Sequence, residues 1–579
     1  MRAHALSLSL FATLVACSSD PAPTDAGVAD APLADAVDAT PIDAIAAADA
    51  PVVVTPTLPD YPEVTPPDSV VVEAGVRREV RDVPTPAPPA NPTTGLATPA
   101  ALNHVRLLRY RVDAPSPVAV RAVVIAVPGF LGGAGSFDPL ARALVRRSMA
   151  AGAPVEVWAL DRRANALEDL RGMHAADARR DPEVAWGYYV DRGVTVGGRA
   201  FEGFLSERDP SLSYVSEWGL ASVMNDLRAV VNLVPSPREH VVLMGHSLGA
   251  TLVEAYAAWD FDGAAGTASI AGLVMLDGVA SGSAVTEAQW RDGAASGPAG
   301  LPSPGVTSLR QGGPWFVTLP GLGVRALAIS EVVARRAALT PDAVVNDPPR
   351  DQVFRVLLGV SPVPPLTNAA AFGFAFDDAT CPLAFARMSM GAPLGPLTTR
   401  ANPFAQGETL TIPSSPTETY RWADAPSRDP AEFTSLASAA AAWTATPSNF
   451  SEWYFPSRLG VDVSALGDLR LAADAWQRRE GLRAWRGAEV DVPVLAISAG
   501  LVGRASAFDA LRARLAPTIG AGLPAAGMTR DAAAAFTAIH AARMTHLDPI
   551  TADDRAGNVV PERVSAFVSG ATASTVTVP

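Results

Sequence analysis

The apolar positions of this chain fall into short continuous runs separated by longer stretches of helical spacing. Arg121-Ala122-Val123-Val124-Ile125-Ala126-Val127 is an almost unbroken β-branched run, the pattern of a strand buried on both faces. Residues 155–160, 240–244, 270–276 and 492–497 repeat it, and residues 105–112 alternate as an early strand. Between and after these runs, residues 137–150, 220–234, 250–259 and 560–568 carry apolar side chains at helical spacing. Strands alternating with helices predict parallel βαβ units, so the fold class is α/β: a mostly parallel sheet flanked by helices. The pattern breaks after Asp277-Gly278 and resumes near residue 490, which makes residues 279–489 a large insertion between two parts of one core, 101–278 and 490–579. No repeat of fixed period appears.

The first hundred residues follow another pattern. Arg2 precedes a short apolar run too brief to cross a bilayer, with the layout of a secretory leader over residues 1–16. The run ends in Leu14-Val15-Ala16-Cys17, which resembles the lipobox of bacterial lipoproteins. That resemblance implies cleavage before Cys17, acylation of Cys17 and lipid anchoring at the bacterial cell envelope. A plain secretory signal with an incidental cysteine is the alternative. Residues 17–100 are rich in Asp, Ala and Pro and predict a disordered, extended tether. No later stretch is long and apolar enough to predict a transmembrane helix.

Charge sharpens this division. The chain has 579 residues with 45 basic and 59 acidic side chains, a formal net charge of −14. Residues 18–100 hold 13 acidic and 3 basic side chains, so most of the excess sits in the expected tether. An acidic balance argues against non-specific nucleic-acid binding. The 2 cysteines are Cys17 and Cys381, and one lies at the leader, which excludes an intramolecular disulfide framework. No His or Cys cluster has metal-ligand spacing, so neither a metal nor another cofactor is expected.

The chemistry is concentrated in Gly245-His246-Ser247-Leu248-Gly249, a G-x-S-x-G sequence with a strand before it and a helix after it. A serine on so sharp a strand-to-helix turn needs glycines at 245 and 249, because side chains there would clash. The turn lifts the hydroxyl off the sheet and aims the Leu248 amide at a developing oxyanion. At this motif the chain resembles the α/β-hydrolase superfamily, over residues 102–278 and 489–568. The resemblance implies a serine hydrolase with Ser247 as nucleophile. It implies a second oxyanion donor in Pro128-Gly129-Phe130, the Phe130 amide, with Leu131 as the other choice. It also implies the chain order Ser, acid, His. His540 and His546 are the histidines that follow Ser247, and His546, in Met544-Thr545-His546-Leu547-Asp548-Pro549, matches the family's base. His540 lies in an alanine-rich stretch that reads as helical. The family's usual acid loop, Ser498–Arg504 here, holds no carboxylate. Asp277, at the end of the strand after the nucleophile helix, is the acid some lipases of the superfamily would use. Asp509 is the alternative, although Ser506-Ala507-Phe508-Asp509 reads as a capping box.

The insertion stands where α/β-hydrolases carry a cap, and it holds seven of the 11 tryptophans. Trp315, Phe316, Trp453 and Tyr454 are the candidate walls of a covered apolar substrate pocket, unless these aromatics form the insertion's own core. Asp161-Arg162-Arg163-Ala164-Asn165 follows a strand end, and reads either as a pocket rim ordered by Arg–Asp pairing or as a solvated loop. Two functions compete. One is a membrane-anchored enzyme cleaving small-molecule or lipid esters of hydrophobic character; the other is a surface binding lipoprotein on a degenerate hydrolase scaffold, suggested by the empty acid loop.

Overall fold

Nine strands form the central sheet of the computed structural model, which describes residues 58–294, 303–317, 323–345, 355, 358–425 and 432–578. In chain order they are β1 (Ser69–Glu73), β2 (Val76–Pro84), β3 (His104–Val112), β4 (Ala122–Val127), β5 (Val155–Leu160), β6 (Val241–His246), β7 (Gly272–Leu276), β8 (Val494–Ser498) and β9 (Phe536–His540). Across the sheet the order is β9-β8-β7-β6-β4-β5-β3-β2-β1. The strands from β9 to β5 are parallel, while β3, β2 and β1 complete the sheet antiparallel. Every residue of β4, β5, β6, β7 and β8 is buried, which accounts for their unbroken apolar runs. This order, with the antiparallel edge and a strand–Ser–helix turn after β6, is the α/β-hydrolase fold.

The helices that position the site are α1 (Asp138–Ala150), α2 (Leu220–Val231), α3 (Leu248–Ala257) and α7 (Val559–Ala571). Between β7 and β8 the insertion adds α4 (Gly323–Leu339), α5 (Asn368–Phe376), α6 (Leu436–Trp443) and small antiparallel strand pairs.

Three expectations from the sequence change. Residues 69–84, placed in the tether, are two strands of the sheet. Their charges are matched across strands, as in Arg111–Glu79 at 2.5 Å, and Arg78 is buried against Asp138 at 3.0 Å. Averaging composition over the acidic, proline-rich segment concealed this local alternation. The stretch around His540, expected to be helical, is β9: pairing with β8 outweighs alanine's helix preference. The capping box at Asp509 does not form, because residues 505–508 make a tight 3-10 turn without side-chain capping. Residues 1–57, including the leader, Cys17 and about half of the expected tether, lie outside the described residues. Among the described residues, no helix is long and apolar enough to cross a membrane.

Candidate active site

Ser247 sits between β6 and α3 with φ 56° and ψ −122°, a backbone region that costs roughly 1–3 kcal/mol for a residue other than glycine. The surroundings enforce it. The Ser247 amide donates to Leu276 O at 2.8 Å, and its carbonyl accepts from Ala250 N at 3.0 Å. A Cβ at Gly245 would lie 2.1 Å from Gly249 O, one at Gly249 2.0 Å from Val127 O, and one at Gly278 2.1 Å from Ser247 O. The motif's glycines, and Gly278 beyond it, are therefore required by close backbone approach. Leu248 is the first residue of α3, so its amide has no acceptor within the helix.

His546 and Asp277 meet. His546 Nδ1 lies 2.7 Å from Asp277 Oδ2, and both side chains are buried. The loop after β8, which lacks a carboxylate, turns its amides on Asp277 instead. Ala499 N and Val502 N donate to Oδ1 at 2.6 and 2.9 Å, and Leu501 N donates to Oδ2 at 2.9 Å. Burial opposes the Asp277 charge, but His546 and these amides together hold its pKa below the usual carboxylate value. With a carboxylate at Nδ1, the proton sits on that nitrogen and Nε2 keeps its lone pair. Ser247 and His546 line one small cavity with Gly129, Phe130, Phe385 and Phe450.

The residues around His546 lock its loop. Asp548 accepts from Thr545 N at 2.7 Å, and from Ser389 N and Thr434 Oγ1 of the insertion at 3.0 and 2.7 Å. His246 was not singled out as functional in the sequence. Its Nε2–H donates to His546 O at 2.8 Å, and the two rings lie 4.6 Å apart. Burial and the adjacent His546 push the His246 pKa down to about 3, so it acts as a neutral donor. Its signal was its place beside the serine, inside the motif. The other candidates lie apart. Asp509 is exposed, and His540 is exposed at the end of β9 with Nδ1 3.0 Å from Ser498 Oγ.

A second, apolar cavity of about 110 Å³ adjoins the first and shares Phe130, Phe385, Phe450 and Leu547 with it. Its far walls are Ile329 and Val333 of α4, Ala375 and Phe376 of α5, and Trp443 of α6. Trp315, Phe316, Trp453 and Tyr454, the walls expected from the sequence, do not line either cavity and are fully buried elsewhere. Trp453 packs against Tyr189 and Phe204 at 5.7 and 5.8 Å, Phe316 against Tyr454 at 5.1 Å, and Trp315 donates to Leu309 O. Trp453, and Tyr454 through the Leu205 amide at 3.1 Å, sit at the seam between insertion and core, whereas the Phe316–Tyr454 and Trp315–Leu309 contacts lie within the insertion itself. Aromatic content alone does not distinguish that seam from a cavity wall. Cys381 is buried, and burial pushes its thiol up to about 12, as befits a small apolar residue. Among the described residues, no group of His, Cys, Asp and Glu could hold a metal ion.

No family model matches the sequence, and no curated protein is similar to it in sequence. Solved structures resemble it at low identity. An epoxide hydrolase, CorEH, is 10% identical over 84% of this chain and 98% of its own, with a TM-score of 0.30. A lipase in an open form is 11% identical over 81% of this chain and 94% of its own, with a TM-score of 0.29. The peroxisomal alpha-beta-hydrolase Lpx1 of Saccharomyces cerevisiae is 12% identical over 37% of this chain, with a TM-score of 0.22; the match spans 46% of that protein, less than half its length.

Proposed function

We propose that this chain, an α/β-hydrolase by fold, is a serine hydrolase that cleaves carboxylic esters with apolar acyl groups through an acyl-enzyme. The observation that carries this reading is the Asp277–His546 contact of 2.7 Å beside a strained Ser247 in the same cavity. Ser247 attacks the ester carbonyl. His546 Nε2 takes the hydroxyl proton and returns it to the leaving alcohol, while Asp277 holds the tautomer and offsets the imidazolium charge. The Phe130 and Leu248 amides receive the oxyanion, and water, deprotonated by the same histidine, then releases the acid. Covalent labelling of Ser247 by a fluorophosphonate tests the reading.

The adjoining apolar cavity supports the choice of substrate, because it offers walls to an acyl chain next to the nucleophile. Each buried methylene contributes about 0.8 kcal/mol, so lengthening the acyl chain from two to six carbons makes up to about 3 kcal/mol available. We expect kcat/KM for p-nitrophenyl esters to rise by about 10- to 100-fold along that series. Ala375→Phe, which fills the cavity, should flatten the rise. Trp453→Ala should leave the slope intact but lower stability by about 3–5 kcal/mol, since Trp453 belongs to the seam. A slope unchanged in Ala375→Phe and lost in Trp453→Ala would reverse this assignment.

The lipid anchor is proposed on the sequence around Cys17. An acylated cysteine would hold the enzyme at the bacterial envelope, facing away from the cytoplasm. Wild-type chain should then partition into detergent and Cys17→Ser into water; equal partitioning would remove the anchor.

A further inference from the structure

The loop of residues 129–133, which carries the Phe130 amide, is gripped from behind by one side chain. Arg162, at the end of β5, donates from Nη1 to Pro128 O at 2.9 Å and from Nη2 to Gly129 O at 2.8 Å and Gly132 O at 3.1 Å. Its Nε and Nη2 also reach Glu452 Oε2, at 2.9 and 2.5 Å. Both side chains are fully buried, and the other Glu452 oxygen has no hydrogen-bond partner among the described residues. Glu452 belongs to the insertion, whose backbone continues the grip. Glu452 N donates to Leu131 O at 2.8 Å, and Gly133 N to Phe450 O at 2.6 Å.

A buried ion pair is a poor source of stability, because two ions have been desolvated to form it. Its placement suggests another use. The Gly129 carbonyl and the Phe130 N–H belong to one planar, trans peptide group and point in opposite directions. A guanidinium fixed on the oxygen side therefore fixes the direction of the N–H on the other side. It also polarises the group so that the N–H becomes a stronger donor.

We infer that Arg162 is a positioning residue for the oxyanion hole, and that Glu452 makes the hole conditional on the insertion being seated on the core. The inference rests on the serine-hydrolase reading for its kinetic consequences but not for its structural one. With the insertion displaced, Arg162 loses Glu452 and the loop loses its contacts to Phe450 and Glu452 at once. The oxyanion site would then be assembled only when the walls of the acyl cavity are also in place.

The test compares wild type with Arg162→Lys and with the apolar double variant Arg162→Met/Glu452→Leu, which removes both charges and avoids stranding one. In both variants, kcat on a p-nitrophenyl ester should fall by about 10- to 100-fold, by analogy with loss of an oxyanion donor, with KM changed less than about threefold. Affinity for an alkyl trifluoromethyl ketone, which forms an anionic tetrahedral adduct, should fall by the same factor as kcat/KM. Amide hydrogen exchange in residues 129–133 should speed up by about tenfold, a readout that needs no turnover and so separates this inference from the hydrolase reading. A double variant as stable as wild type, with kcat within about twofold and exchange unchanged, would make the pair merely structural. Unchanged exchange and kinetics in Arg162→Lys would overturn the inference even if the double variant did not fold.

Discussion

Asp277→Asn is expected to lower kcat on a soluble ester by about four powers of ten, with the chain still folded. Four donors surround the carboxylate. Oδ1 accepts from Ala499 N and Val502 N, and Oδ2 from Leu501 N and His546 Nδ1. An asparagine must present its NH₂ to one of these pairs. Turned toward Ala499 and Val502, it sets donor against donor in a buried site, costing about 1–3 kcal/mol. Turned toward Leu501 and His546, it forces the imidazole into the other tautomer, which places a proton on Nε2 and removes the base. Stability therefore falls modestly in either arrangement, while turnover collapses in the second. His546→Ala should cost at least about a thousandfold, and the double variant should be no worse than the poorer single one, because the two act as a unit. His540→Ala and Asp509→Asn should change kcat little, since both residues are exposed and neither reaches His546. Full activity in Asp277→Asn would remove Asp277 from the mechanism.

Gly249→Ala should be nearly as damaging by another route. The added Cβ would lie 2.0 Å from Val127 O and 2.9 Å from Pro128 O, both backbone atoms at the end of β4. No side-chain rotation relieves such a contact. Either α3, which carries the Leu248 amide, lifts from the sheet, or residues 127–128 shift and take with them the adjoining loop that carries the Phe130 amide. We expect a loss of about 3 kcal/mol or more in urea unfolding. The folded fraction, counted by active-site titration, should lose about a hundredfold in kcat, the effect of a displacement near 1 Å. Gly152→Ala is the control. Its positive φ of 69° is similarly unfavourable, but nothing lies within 4 Å of the added Cβ, so about 1 kcal/mol and unchanged kcat are expected. A Gly249→Ala enzyme with normal kcat would show that the elbow tolerates what the geometry forbids.

These two positions also mark what was legible in the amino-acid sequence. Gly249 could be read because a strand–turn–helix with a serine at its apex imposes glycine sterically, whatever the rest of the chain. The buried parallel strands could be read because burial on both faces leaves no polar alternation. Asp277 could be placed near the site by its position at a strand end. The three amides that replace a carboxylate in the loop after β8 left no mark, because backbone donors have no residue-type signature. The cavity walls escaped for a related reason. Phe385, Phe450 and Trp443 face a space and Trp453 faces a seam, yet all four are aromatic, and of these only Trp443, the last residue of α6, lies in an α-helix whose period could orient it. Residues 69–84 were hidden by their neighbours' composition. Arg162 was read as pairing with an aspartate or lying in solvent; its partner is a glutamate 290 positions away.

The central claim is that Ser247 is a nucleophile made reactive by His546 and Asp277. Its most direct test is reaction of the full-length chain with a fluorophosphonate, followed by peptide mass spectrometry. The account predicts one adduct per chain, on Ser247, blocked by prior reaction with an alkyl trifluoromethyl ketone and slowed at least about a hundredfold in His546→Ala. Folded protein that takes no label, or takes it on another residue at an equal rate in Ser247→Ala, would contradict the account and leave a binding protein on a hydrolase fold.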